Sequence, residues 1–470
     1  MREELADLSG AELSRAFATR ALSPVEVMAD VLARVERLEP VLCATWALDA
    51  QAAMEGARAS ERRWHAGTPR SPLDGIPVTL KELIATQGCP KPVGTAATEL
   101  VPQTADAPPA ARLNEAGCIA FAKTTVPDYG MLSSGLSSFH RLARNPWDIT
   151  RNPGGSSAGA GAAAAAGYGP FHVGTDIGGS VRLPAGWCGI FALKPSNGRI
   201  PIDPPYIGRV AGPMTRTVSD SAMMMTALSR PDPRDFMDLP PEMLPWMDLD
   251  ADVKGLRIGL MLDAGCGAAP DPGVVAAIEE AARLFEAGGA HVEPVAPFMT
   301  PAMLDGLDRF WRTRFWSETK DLPPERYEKI LPYIRAWVEP AAGYTGLDVY
   351  TGFDQIMQMR ERGRAYQSCD LLLSPVAPMP AFAADLPSPT DDPARPFDHI
   401  GFTVPFNMTE QPASSINCGY SAEGLPIGLQ IVGRRFADMD VLRASRWYEQ
   451  ARGPQRPWPL SLEQGVKIES

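Results

Sequence analysis

The apolar positions change their period several times along the chain. Near the N-terminus they recur every three or four residues. Leu13, Phe17 and Ala21 share one stripe, and the run from Ser23 to Pro40 opens on a Ser-Pro cap and closes on a proline. That spacing predicts helices, so residues 1–70 are expected to form a helical layer packed on the core that follows. From about residue 74 the pattern shortens. "GIPVTL" (75–80) and "CIAFAK" (118–123) read as strands, with the helical "APPAARLNEAG" (107–117) between them, which is the order of a βαβ unit. The alternation returns in "GLRIGLML" (255–262), "PGVVAAIEEAARLFEAGG" (272–289) and "AHVEPV" (290–295). "CDLLLSPVAP", "SSINCGY" and "PIGLQIVG" then precede a last helix near Asp438. The expectation is an α/β protein with one sheet domain over 71–460 and no internal repeat. Two stretches break the pattern. Residues 231–250, acidic and proline-rich, read as a surface excursion, because α/β alternation continues on both sides; residues 375–400 read as an irregular segment of the kind that builds site walls.

Charge and cysteine usage narrow the function. With 44 basic against 56 acidic residues the net charge is −12. No Lys/Arg run offers the basic patch that nucleic acid or an anionic membrane needs, so a small molecule is the expected partner. The seven cysteines are scattered without a CxxC pair, which points to a reducing compartment and to neither a disulfide framework nor a zinc cluster. The first residues carry acids where a signal peptide has a basic and then an apolar run. No segment approaches about 18 uninterrupted apolar residues, and a cytoplasmic location is expected.

Candidate chemistry gathers in two glycine-serine stretches. "RNPGGSSAGAGAAAAAG" (151–167) has the composition of a linker, yet it leads straight into an unbroken alanine run. Its "GAGAAA" fits a loose dinucleotide fingerprint but follows no strand, and the phosphate-loop Gly-Lys-Ser/Thr ending is absent. In "GTDIGGSVRLPAG" (174–186) Ser180 follows Gly178 and Gly179, so several backbone N–H groups can converge on one point, as an oxyanion hole requires; a tight turn explains the same letters. A serine nucleophile needs a base, and none of His65, His140, His172, His291 and His399 has a convincing context. Lys81, ending the apolar run "GIPVTLK", would be carried inward, where burial lowers an amine's pKa far enough for it to accept a proton. An ion pair with Glu82 is the alternative, weakened because neighbours on a strand face opposite ways.

Taken together, "GIPVTLKEL", "NPGGSSAGAGAAAAAG", "VGTDIGGSVRLPAGWCGIFALKPSNGRIP" and "QPASSINCGYSAEGLPIGLQIVGRR" resemble the signature of the amidase signature family, over about residues 10–455. The first three blocks, in that order, are far more specific than any one glycine motif, and the fourth resembles the family's C-terminal block. The resemblance implies a central twisted mixed β-sheet covered by helices on both faces, and a Ser-Ser-Lys triad. In it Ser180 would be the nucleophile, and Ser156, behind a cis Gly155–Ser156 bond, would bridge it to Lys81. The N–H groups of Ile177, Gly178, Gly179 and Ser180 would form the oxyanion hole, supported by Thr175, Asp176, Arg182 and Ser157. No metal or organic cofactor is implied, and a homodimer is the family-level expectation. Ala158 and Glu82 depart from the commonest family letters without touching a catalytic atom. The substrate pocket is expected to draw on Met131, Leu132, Ser133, Trp316, Tyr344, Ile400 and Phe402; Trp311, Phe315 and Phe397 are further aromatic hints, although aromatics at helical spacing are more often core.

Three functions fit these letters. The first is hydrolysis of a small, apolar or aryl amide through an acyl-enzyme, releasing ammonia or an amine. The second is the A-type subunit of a glutamine-dependent amidotransferase, supplying ammonia to a partner. In such proteins an acid ahead of a "FTVPxN"-like stretch binds the glutamine amino group, and Ile400 stands in its place here. The third, a non-catalytic binding protein on the same scaffold, would need a broken triad, and all three residues are present.

Overall fold

The computed structural model describes residues 4–459. Residues 1–3 of the expected helical layer and residue 460, the expected end of the sheet domain, lie outside that range. The chain opens with helices α1 (Gly10–Thr19), α2 (Pro24–Leu42) and α3 (Ala50–Ala66). Ser9 and Ser23 close capping boxes with Glu12 and Glu26 at the starts of α1 and α2. Leu13 and Phe17 are buried as their spacing predicts, but Ala21 falls outside the stripe, because Arg20 adopts the left-handed conformation that ends α1. The expected stop at Pro40 is also displaced: α2 runs on to Leu42 and ends at Cys43. A proline this close to the C-terminus disturbs only the last turn.

Eleven strands form one sheet. They are β1 (Thr45–Trp46), β2 (Pro77–Lys81), β3 (Ile119–Thr124), β4 (Phe171–Asp176), β5 (Phe191–Lys194), β6 (Val210–Thr215), β7 (Arg257–Leu260), β8 (His291–Pro294), β9 (Leu371–Pro375), β10 (Ala413–Tyr420) and β11 (Pro426–Gly433). Their order is β1-β3-β2-β4-β6-β5-β10-β11-β9-β7-β8. The sheet is mixed. Both expected βαβ units are present: β2 and β3 run parallel across helix α4 (Pro108–Ala116), and β7 and β8 across a helix at Pro272–Ala287. β4 and β9 continue the two units in parallel, each strand from β4 across to β9 runs antiparallel to the next, and the hairpin β10–β11 joins β5 to β9. Helices cover the sheet, and the central strands are buried on both faces, which is why they read as continuous apolar runs.

The alanine run is helix α5 (Ala158–Ala166), all nine residues buried. Its small side chains let it press against its neighbours. A Cβ on Gly159 would sit 2.0 Å from the Ala44 carbonyl oxygen, so only glycine fits there. Residues 231–250 contain no helix or strand; Phe236 and Met243 project from them at 82% and 99% exposure, while Trp246 anchors the stretch at 5%. Beyond Pro375, the end of β9, the segment to 400 is likewise irregular. No described helix is long and apolar enough to cross a membrane.

Candidate active site

Lys81 is the last residue of β2 and wholly buried. Its Nζ lies 2.8 Å from Ser156 Oγ, 2.9 Å from Ser157 Oγ and 3.2 Å from the Thr175 carbonyl on the adjoining strand β4. The two serines sit immediately ahead of α5, and the Gly155–Ser156 peptide is cis. Glu82 points the other way, as strand alternation requires: its Oε1 accepts the Gly94 N–H at 2.8 Å and its Oε2 meets His140 Nε2. Lys81 therefore has no carboxylate partner among the described residues. Burial drives its pKa well below the ordinary lysine value, the Arg209 guanidinium pushes the same way, and Asp176 and Glu82 only partly oppose them. Of the three oxygens around Nζ, a carbonyl can only accept; an uncharged amine gives it one N–H and keeps its lone pair for a serine hydroxyl.

The turn from β4 into helix α6 (Arg182–Cys188) holds Ser180. Asp176 organises it. The carboxylate accepts N–H groups from Gly179 at 2.7 Å and Val181 at 3.2 Å, both forks of Arg182 at 3.0 Å, and Asn407 Nδ2 at 2.8 Å. Burial alone would raise the Asp176 pKa, but Arg182, Lys194 and Asn407 override it and hold the group ionised well below the usual carboxylate range. Arg182 in turn donates to Thr403 O at 2.9 Å and Gln430 Oε1 at 2.7 Å. This web corrects one expectation. The Gly179 N–H is engaged by Asp176 and is not free for an oxyanion, which leaves Ile177, Gly178 and Ser180, whose N–H groups meet no acceptor among the described residues. Gly179 is required for its backbone instead: φ is +131°, and a Cβ would lie 2.5 Å from Thr403 Oγ1. The Ser180 carbonyl accepts the Ser157 N–H at 3.2 Å, while its hydroxyl, unbonded among the described residues, faces the same cavity as Ser156.

That cavity measures about 420 Å³, within the range of small-molecule sites. Met131, Leu132, Ser133 and Ile400 line it as expected, together with Trp311, Phe315 and Phe397. Three expected wall residues do not. Trp316 follows Phe315 on the helix Pro301–Thr319, so it is turned about 100° away and packs behind the wall. Phe402 is buried in the core, and Tyr344 lies at the end of a short 3-10 helix; neither reaches the cavity. The sequence reading missed the charged members, Lys91, Arg209, Arg314, Glu318 and Arg326. It also missed Thr403, Asn407 and Gln430, although these stand within the "HIGFTVPFN" and "GLQIVG" stretches.

Known proteins resemble the chain in sequence and in fold. The amidase family pattern matches residues 26–442. The A-type subunit of the glutamyl-tRNA(Gln) amidotransferase of Myxococcus xanthus (strain DK1622) is 33% identical, covering 95% of this chain and 98% of the relative. Its namesake from Chloroflexus aggregans (strain MD-66 / DSM 9485) is 32% identical over 95% and 97%. Among solved structures, a bacterial aryl acylamidase of the amidase signature family superposes with a TM-score of 0.89 at 29% identity, over 97% of this chain and 98% of that one. The peptide amidase of Stenotrophomonas maltophilia shares the fold, with a TM-score of 0.80 at 24% identity over 96% and 98%. The chain belongs to the amidase signature family and is an enzyme that acts on amide C–N bonds.

Proposed function

We propose that the protein is an amidohydrolase acting through Ser180, Ser156 and Lys81 on a small amide with an apolar or aryl body. The observation that carries this reading is the 2.8 Å contact of a wholly buried Lys81 with Ser156, at a cavity that Ser180 also lines. Uncharged Lys81 takes the Ser156 proton as Ser156 takes that of Ser180, and Ser180 Oγ bonds to the amide carbon. The oxygen that becomes negative is met by the N–H groups of Ile177, Gly178 and Ser180. The proton returns through Ser156 to the nitrogen, the C–N bond breaks, and ammonia or an amine leaves. Water, deprotonated along the same path, then cleaves the ester to acid and free Ser180. Ser180→Ala is expected to abolish both turnover and labelling by a fluorophosphonate probe; labelling that survives this substitution overturns the assignment.

The sequence relatives favour a second reading, a glutaminase that passes ammonia to a partner polypeptide. The wall speaks for the first: Ile400 offers glutamine's ammonium no carboxylate, and Trp311, Phe315 and Phe397 suit an aromatic body. Rates on acetanilides, benzamides and glutamine, measured with the purified chain, separate the two.

A further inference from the structure

Two cations in the cavity wall, Lys91 and Arg209, each half-buried, stand outside any ion pair among the described residues. The Arg209 guanidinium donates only to the Pro204 carbonyl, at 2.8 Å, and Lys91 donates to no described group. The other cavity cations are matched. Arg314 pairs with Glu318 at 3.2 Å and lies 4.0 Å over the Tyr206 ring; Arg326 pairs with Glu99 at 2.8 Å and donates to the Ala97 carbonyl at 2.7 Å. Burial weakens the charged form of Lys91, and the neighbouring Arg209 weakens it further. Burial likewise lowers the Arg209 pKa, to about 10, with Arg314 adding to the effect. Asp203, the first carboxylate acting on both, is exposed to solvent. Two like charges held near each other and partly shielded from water are costly unless something negative joins them.

We propose that the substrate carries an anionic group of the carboxylate class, held by Arg209 and Lys91 while its amide lies at Ser180. The inference rests on the amidohydrolase reading and names the substrate class of that site. A guanidinium presents a planar fork that matches a carboxylate, and a lysine beside it adds a point charge. The aromatic wall then receives the body between amide and anion. Glutamine fits this arrangement poorly, because its ammonium would approach the same two cations while the cavity's carboxylates, Asp176 and Glu318, are already engaged by Arg182 and Arg314.

Paired substrates test the inference, since a nitro group has the shape of a carboxylate without its charge. N-acetyl-4-aminobenzoate against 4-nitroacetanilide places the anion on the leaving amine; terephthalamate against 4-nitrobenzamide places it on the acyl side. Intrinsic reactivity cancels when each kcat/KM ratio is compared between wild type and variant. Arg209→Met and, separately, Lys91→Met are expected to lower the carboxylate-to-nitro ratio by about 10- to 100-fold in at least one pair. Ratios unchanged in both variants overturn the inference. Should the wild type hydrolyse none of the four, the amidohydrolase reading falls, and calorimetric binding of terephthalamate and 4-nitrobenzamide decides the remainder. Tighter binding of the carboxylate, lost in Arg209→Met, upholds the anion site on its own; equal binding of the two overturns it.

Discussion

Lys81 shows how one residue can be read from sequence while its setting cannot. An amphiphilic side chain at the end of "GIPVTL" pointed inward by strand alternation, and it is buried as the pattern implied. The cation that helps keep it uncharged, Arg209, stands more than a hundred residues later, where no local pattern marks it. The same limit explains the wall. Trp311 and Phe315 are one helical turn apart and face the cavity, whereas Trp316 sits one residue further and turns away, a distinction that composition does not carry. The pH dependence follows from these contacts. Lys81 is a base only when unprotonated, so kcat/KM on a neutral anilide is expected to fall as pH drops through its lowered pKa, with a midpoint well below 10.5. Removing a nearby positive charge makes the ammonium easier to form, which raises that pKa. Arg209→Met is therefore expected to move the acidic limb to higher pH, and a limb that stays put argues against Lys81 as the base. Lys81→Met should lower kcat by about 100- to 10,000-fold at every pH.

At the scale of elements, the periods of 2 and 3.6 located the two βαβ units, the early helices and the two strands that form the last hairpin, while the long helices Pro301–Thr319 and Gly346–Arg362 went unread. The errors lie at ends, as at Ala21 and Pro40, where capping geometry and not hydrophobicity decides. Helix α5 is the element whose composition has the plainest packing reason. With no face turned to solvent and a carbonyl pressed against Gly159, it has no room to grow. Gly159→Ala is expected to destabilise the protein by about 1–3 kcal/mol in urea denaturation. Gly273→Ala, exposed in the first turn of the helix Pro272–Ala287 with nothing within 4 Å of the added carbon, should be stabilising by about 0.4–1 kcal/mol. Equal effects at the two glycines would mean that close approach does not restrict α5.

For the molecule as a whole, the sequence motifs pointed to a mixed sheet but not to its strand order, because pairing between strands far apart in the chain leaves no local trace. The reach of Arg182 to Thr403 and Gln430, across 221 and 248 residues, is of this kind. A self-sufficient hydrolase and one component of a larger amidotransferase differ at this scale too. The chain purified alone is expected to turn over aryl amides in a first-order dependence on its own concentration; activity that emerges only when a second polypeptide is added would favour the amidotransferase component. The hairpin β10–β11 has a further meaning for how the enzyme comes into being. Among the described strands it alone connects β1–β6 to β7–β9, and it brings Gln430 to the arginine that holds the Ser180 turn. Synthesis proceeds from the N-terminus, so Ser156 and Ser180 leave the ribosome long before the residues that complete their surroundings. On the proposed assignment, nascent and C-terminally clipped chains carry both serines without the hairpin that completes their surroundings, and amide cleavage is expected only once the last strands of the protein are in place.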